Sequence, residues 1–232
     1  MAKKSEMNVW GLVETVAKAS RTLLLYGPPG TGKTYAGHTS GLDGRPLETV
    51  TLTPDMAAAE LRGHYVPSGG EFKWQDGPVI RAWRTGARIV VNEIDKAGGD
   101  VLSFLLVALD SSGTAALTLP TGETVRPDPR FQAFGTMNGE PSQDLPEPLR
   151  DRFPAALHIN EPHPAGIDAL PADLRDAARG TVCAESADRR ITLRAWLAFA
   201  WMRPIVGEEI AAAVHFGMDR YKDVLQSLRI AK

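Results

Sequence analysis

The chain has 232 residues, 43% of them hydrophobic and 23% charged, close to soluble globular averages and long enough for one large domain with a small appendage. A formal net charge of −2 gives no global sign of a nucleic-acid-binding surface. A single cysteine, Cys183, excludes an internal disulfide framework and suits a reducing, cytoplasmic setting, where it reads as a small buried hydrophobe.

Met1 to Trp10 is polar and lacks the apolar core of a signal peptide. Met7 to Ala19 carries Val9, Leu12, Val13 and Val16 at helical spacing. Thr22 to Tyr26 is a short apolar run ending at a glycine–proline cluster, which predicts a buried strand. Further strands are predicted at Leu47 to Leu52, Arg88 to Asn92, Phe131 to Met137 and Ala156 to Ile159. Helical patterns lie between them at Asp55 to Arg62, Val79 to Thr85 and Val101 to Asp110. This alternation predicts an α/β fold built on a parallel five-stranded sheet flanked by helices.

Two stretches interrupt that plan. His64 to Gly77, with Phe72 and Trp74, and Ala115 to Val125, turning at Pro120-Thr121-Gly122, read as inserted hairpins. Glu161 to Pro171, with prolines at 162, 164 and 171, is the expected domain boundary. The expected organisation is an α/β domain over residues 1–161, with insertions near 64–77 and 115–125, and a helical lid over 172–232. The lid's apolar run, Ala195 to Met202, is far short of the about 20 residues that cross a bilayer, so a buried helix and no membrane association are expected. Trp196, Phe199 and Trp201 are assigned to its core.

Gly27-Pro28-Pro29-Gly30-Thr31-Gly32-Lys33-Thr34 fits the phosphate-loop pattern and follows a predicted strand. The glycines let the backbone wrap a polyphosphate with its N–H groups inward, and the next helix offers the positive end of its dipole. The motif predicts binding of ATP with Mg2+, Lys33 reaching the β- and γ-phosphates, Thr34 ligating the metal and Tyr35, next after the loop, also counted among the nucleotide-binding residues. Such a loop needs polar groups at the end of a neighbouring strand, and Arg88-Ile-Val-Val-Asn92-Glu93-Ile94-Asp95 has that form. Glu93 is the expected general base, against the plainer reading of a carboxylate at a helix start. Asp95 either adds charge to the metal or caps the next element.

With GTMN at 135–138 and LPEPLRDRF at 145–153, the chain resembles the AAA+ ATPases over residues 22 to about 160, and within them the MoxR-like and dynein-related branch. The resemblance implies a P-loop core followed by a small all-α lid, hydrolysis of ATP, and assembly into a homo-oligomeric, hexameric ring. It implies that Asn138 senses the γ-phosphate and that Arg152, or failing it Arg150, reaches the neighbouring subunit's nucleotide. Arg194, opening a lid helix, is the implied second sensor. Each has a plainer alternative: a turn asparagine, arginines paired with Asp151 or Glu147, a solvent-facing arginine.

One departure stands out. The branch carries Asp where this chain has Asn92, and an amide can accept from metal-bound water but brings no charge, so weaker magnesium binding is expected. The implied activity is chaperone-like remodelling or activation of a partner protein whose identity the sequence does not give. Two other readings stay open. One is a nucleic-acid-associated motor or helper of the restriction or phage type; the other is a nucleotide switch with weak hydrolysis, suggested by Asn92. Lys73, Arg81, Arg84 and Arg88 form no dense basic run, so a nucleic-acid channel is left open without support. The aromatics Tyr65, Phe72 and Trp74 either grip a client or pack against a neighbouring subunit.

Overall fold

The computed structural model of the chain describes residues 8–184 and 186–230. They divide into two compact units: the chain up to Gly27 with Thr34–His158, and Pro28–Lys33 with the chain from Ile159 onward.

The first unit begins with α1 (Val9–Ala19), whose cap Asn8 accepts from the N–H of Trp10. Met7, where the helical pattern starts in the sequence, lies outside the described residues. Then come β1 (Thr22–Tyr26), α2 (Lys33–Thr39), β2 (Leu47–Thr51) and α3 (Ala58–Arg62). A hairpin, β3 (Gly63–Ser68) and β4 (Glu71–Asp76), leads to α4 (Pro78–Thr85), β5 (Arg88–Asn92) and α5 (Gly99–Ala108). A short second hairpin, β6 (Leu117–Thr118) and β7 (Thr124–Val125), precedes β8 (Gln132–Met137), α6 (Pro141–Asp144), α7 (Glu147–Arg150) and β9 (Ala155–His158).

The five strands of the main sheet run parallel in the order β2-β5-β8-β1-β9, as the alternation of strands and helices predicts. Every residue of β5 and β8 is buried, which explains why these segments read as unbroken apolar runs. Edge strand β2 instead alternates half-buried and exposed positions. The core joins Leu24, Ile89, Val91 and Ala133 of the sheet to Trp83, Leu105, Phe131 and Phe153, and each Leu-sized side chain there contributes about 1.5–3 kcal/mol. The two predicted hairpins form, and Arg84 ties them together. Its guanidinium donates to Asp76 Oδ2 at 2.7 Å and to both carboxylate oxygens of Glu123 at 2.6 and 2.7 Å.

Arg88, at the start of β5, is wholly buried and makes no ion pair among the described residues. It is held by main-chain acceptors: Nη1 donates to Gly37 O and Ser40 O at 3.1 and 2.7 Å, and Nη2 to Gly41 O at 3.0 Å. Nε and Nη2 also meet Gln132 Oε1, and the guanidinium lies 3.9 Å from the centre of the Phe134 ring. These carbonyls end α2, where a cation complements the helix dipole. Burial pushes the Arg88 pKa down to about 10, which leaves it charged at neutral pH.

In the second unit, α8 (Pro164–Asp168), α9 (Ala172–Val182), α10 (Leu193–Val206), α11 (Glu208–Phe216) and α12 (Tyr221–Ile230) pack around Trp196, Phe199 and Phe216. Glu161 to Pro171, read as a boundary, contains the short helix α8, because a proline at the first helical turn starts a helix as readily as it interrupts one. Trp196 and Phe199 are buried as expected, but Trp201 is 69% exposed. Five residues beyond Trp196 on α10, it faces away from the core that Trp196 enters. With Ile205, Ile210, Val214 and Met218 it adds to an exposed apolar surface on α10, α11 and the residues that follow. Cys183 is half-buried instead of fully enclosed, and burial pushes its thiol pKa up. Among the described residues, no helix is long and apolar enough to cross a membrane.

Candidate functional site

In the first unit the chemistry gathers at the carboxyl ends of β5 and β8. The buried Asn92 closes β5, and its Oδ1 accepts from the hydroxyls of Thr34 and Thr136 at 2.8 and 2.9 Å. Its Nδ2 donates to Val50 O at 3.4 Å. Thr34 stands on the first turn of α2, which lies so close to β5 that a Cβ on Gly37 would come 3.1 Å from Val90. Thr136 was not singled out from sequence. The signal was present: Thr136 and Asn138 are alternate polar residues ending an apolar strand, so both project from one face of β8.

After Asn92 the chain turns sharply. Glu93 has φ 53° and ψ 47°, the left-handed region that a non-glycine residue adopts only under local constraint. The next residue, Ile94, is fully buried in the core. Glu93 itself is half-buried, and Asn138 Nδ2 donates to its two carboxylate oxygens at 3.0 and 3.3 Å. Asp95 caps nothing: it lies inside the 3-10 turn Ile94–Lys96, and its Oδ2 pairs with Lys96. Its Oδ1 is buried without a hydrogen-bond partner among the described residues.

Leu149 and Phe153 anchor the segment after β8 in the core, which fixes the two arginines between them. Arg152 donates from Nε to Leu106 O at 3.0 Å, and its Nη1 lies 3.6 Å from Asp151. The Arg150 guanidinium has no hydrogen bond or ion pair among the described residues.

The loop residues Pro28–Lys33 lie in the second unit. Gly27, before them, has φ 126°, and Tyr35, after them, is half exposed on α2. Thr31 is buried and donates from Oγ1 to Pro28 O at 3.2 Å. Lys33 as a whole is only 6% exposed, and its ammonium donates to the same carbonyl at 2.7 Å. Arg194 is exposed on the first turn of α10, whose cap Thr192 accepts from the N–H of Ala195.

The donor set bears on the metal. Among the described residues no group of three His, Cys, Asp or Glu side chains could hold an ion by itself. The Thr34 hydroxyl and the Asn92 carbonyl oxygen are hard oxygen donors 2.8 Å apart. That fits Mg2+, which takes few protein ligands and completes its shell with water and phosphate oxygens.

A family model described as "AAA domain (dynein-related subfamily)" matches residues 22–153. Protein NorQ of Paracoccus denitrificans is 36% identical over 156 residues, covering 66% of this chain and 57% of the relative. Protein CbbQ of Hydrogenophilus thermoluteolus is 32% identical over 164 residues, covering 65% of this chain and 61% of the relative. The chain thus spans about three-fifths of the length of these curated relatives. A solved structure from Cytophaga hutchinsonii superposes with a TM-score of 0.51 over 95% of this chain and 78% of that one, at 18% identity, a likeness of fold alone.

Proposed function

We propose a function that proceeds from one premise: the chain belongs to the AAA family, in its dynein-related subfamily, with MoxR-like relatives. It binds and hydrolyses ATP as one subunit of a ring and uses the cycle to remodel or activate a partner protein. The single observation that carries this reading is the cluster at the strand ends, where Asn92 collects the hydroxyls of Thr34 and Thr136 and Asn138 holds both oxygens of Glu93.

In this reading the loop amides and Lys33 hold the β- and γ-phosphates. Thr34 and Asn92 hold Mg2+, which when bound neutralises phosphate charge. Glu93 accepts the proton of the attacking water. Asn138 keeps the carboxylate oriented and responds to the γ-phosphate. An arginine from a neighbouring copy, Arg152 or Arg150, stabilises charge on the transferring phosphoryl group. Arg194 responds from α10 to the same phosphate. Specificity for the partner rests with the exposed aromatics Tyr65 and Phe72 of the first hairpin.

The test is ATP turnover by the purified chain beside Glu93→Gln. The expected result is Mg2+-dependent hydrolysis that the substitution removes while nucleotide stays bound. Turnover equal in both proteins would overturn the assignment of the base. Failure of the wild-type chain to bind ATP would overturn the whole reading.

A further inference from the structure

The loop Pro28–Lys33 and the helices after Ile159 share one compact unit, and they meet backbone to backbone. The N–H of His163 donates to Thr31 O at 2.7 Å, and the N–H of Leu193 donates to Gly30 O at 3.3 Å. Both donors open helices: His163 caps α8, and Leu193 is the first residue of α10. Amides at these positions have no carbonyl within their own helix to bond.

The approach is close. A Cβ on Gly30 (φ 75°) would lie 2.5 Å from the Cβ of Thr192, and one on Gly32 (φ 106°) would lie 2.6 Å from the Cβ of His163. Those glycines therefore serve both the loop's conformation and its contact with the two helix starts.

All peptide bonds described are trans, so the C=O and N–H of each unit point in opposite directions. The carbonyl of Gly30 shares its plane with the N–H of Thr31, and the carbonyl of Thr31 shares its plane with the N–H of Gly32. Anchoring those two carbonyls turns those two N–H groups to the opposite side of the loop. In a phosphate loop, N–H groups of this kind form the anion cradle.

We infer that His163 and Leu193 are positioning residues, whose main-chain N–H groups set the two loop peptides that present Thr31 N–H and Gly32 N–H to the nucleotide's phosphates. The inference rests on the proposed reading of the loop as the ATP site. The imidazole Nδ1 is engaged within the cap, where it accepts from the N–H of Ala165.

Proline substitution isolates the main-chain donor. His163 has φ −62° and ψ 130°, a conformation proline adopts without strain, so His163→Pro removes the N–H and keeps the backbone path. His163→Ala removes the imidazole and keeps the N–H. Affinity is read by titrating the full chain with a fluorescent ATP analogue in Mg2+, with circular dichroism reporting the helices. His163→Pro is expected to bind roughly 3- to 10-fold more weakly than His163→Ala, the effect of one main-chain hydrogen bond. Leu193→Pro against Leu193→Ala repeats the comparison at the other donor, because proline suits a first helical position. Equal affinities within both Pro/Ala pairs, with helices intact, overturn the inference. Lys33→Ala separates the two levels: normal binding in that variant sinks the reading of the loop itself. Lost binding there, beside matched Pro/Ala pairs, sinks only the positioning role.

Discussion

Asn138 donates its side-chain amide to both carboxylate oxygens of Glu93, bridging the ends of β8 and β5. A carboxylate held by two contacts on a left-handed backbone has few orientations open to it, which suits a group that must meet one water at one angle. Glu93→Gln should lower ATP turnover on the order of 100-fold or more while nucleotide binding persists. Asn138→Ala should lower kcat with a smaller change in KM, since it frees the carboxylate without touching the loop. Steady-state kinetics on the two variants separate these outcomes from a general loss of fold.

Asn92 presents its oxygen to two hydroxyls and its amide nitrogen to a carbonyl. Asn92→Asp would place an anionic oxygen where Nδ2 now lies 3.4 Å from Val50 O, so the substituted chain should lose some thermal stability without metal. The added charge should move the Mg2+ concentration for half-maximal turnover down on the order of tenfold, as ligand charge sets the affinity of hard cations. A magnesium titration beside a melting curve checks both halves. An unmoved titration would show the neutral amide to be a sufficient ligand.

The Arg150 guanidinium has no partner among the described residues, whereas that of Arg152 is tied to Leu106 O. If either acts across a subunit interface, Arg152→Ala or Arg150→Ala alone should turn over slowly, by roughly 10³-fold or more. Mixing the inactive protein with Lys33→Ala subunits should restore part of the rate, because each supplies what the other lacks. The variant that mixing rescues identifies the finger.

Arg88→Met would strip donors from Gly37 O, Ser40 O and Gly41 O and from the buried Gln132 side chain. The expected loss is about 3 kcal/mol or more, measured by urea unfolding, because buried acceptors would go unpaired. Arg88→Lys should recover part of it.

Arg84 joins the two hairpins through Asp76 and Glu123, and its hydrogen bonds hold the Glu123 carboxyl below its ordinary pKa. A depressed carboxylate stabilises above its unfolded pKa and loses that contribution as pH falls through the lower folded one. Hydrogen exchange in residues 63–76 and 117–125 should therefore quicken in Arg84→Met at neutral pH, and the difference from the parent should shrink as the medium is acidified below the carboxylate range.

Much of the fold could be read from the chain because its buried strands are bounded by glycine and proline. Thr22–Tyr26 and Arg88–Asn92 are strands at the expected positions. Thr34, Asn92, Glu93 and Asn138 were named from their motifs, and the fold joins them in pairs. Arg88 was read as the start of a strand and counted in a survey of basic residues, with no buried role assigned to its side chain. Its partners lie 44 to 51 positions away, too remote for any local pattern to reveal. Trp201 was assigned to the core from an apolar run alone. Such a run says that a helix is apolar without saying which side faces inward.

Helix α2 is fastened to β5 twice, through Thr34 and Asn92 at its first turn and through Arg88 beneath its last. The two fastenings sit about 13 Å apart along a five-residue strand, which opposes slipping and rolling of the helix. An anion reaching the first turn therefore meets a dipole already aligned, and little reorganisation has to accompany its capture. Loosening the distant fastening should be felt as a softer grip on that anion, although Arg88 never comes near it.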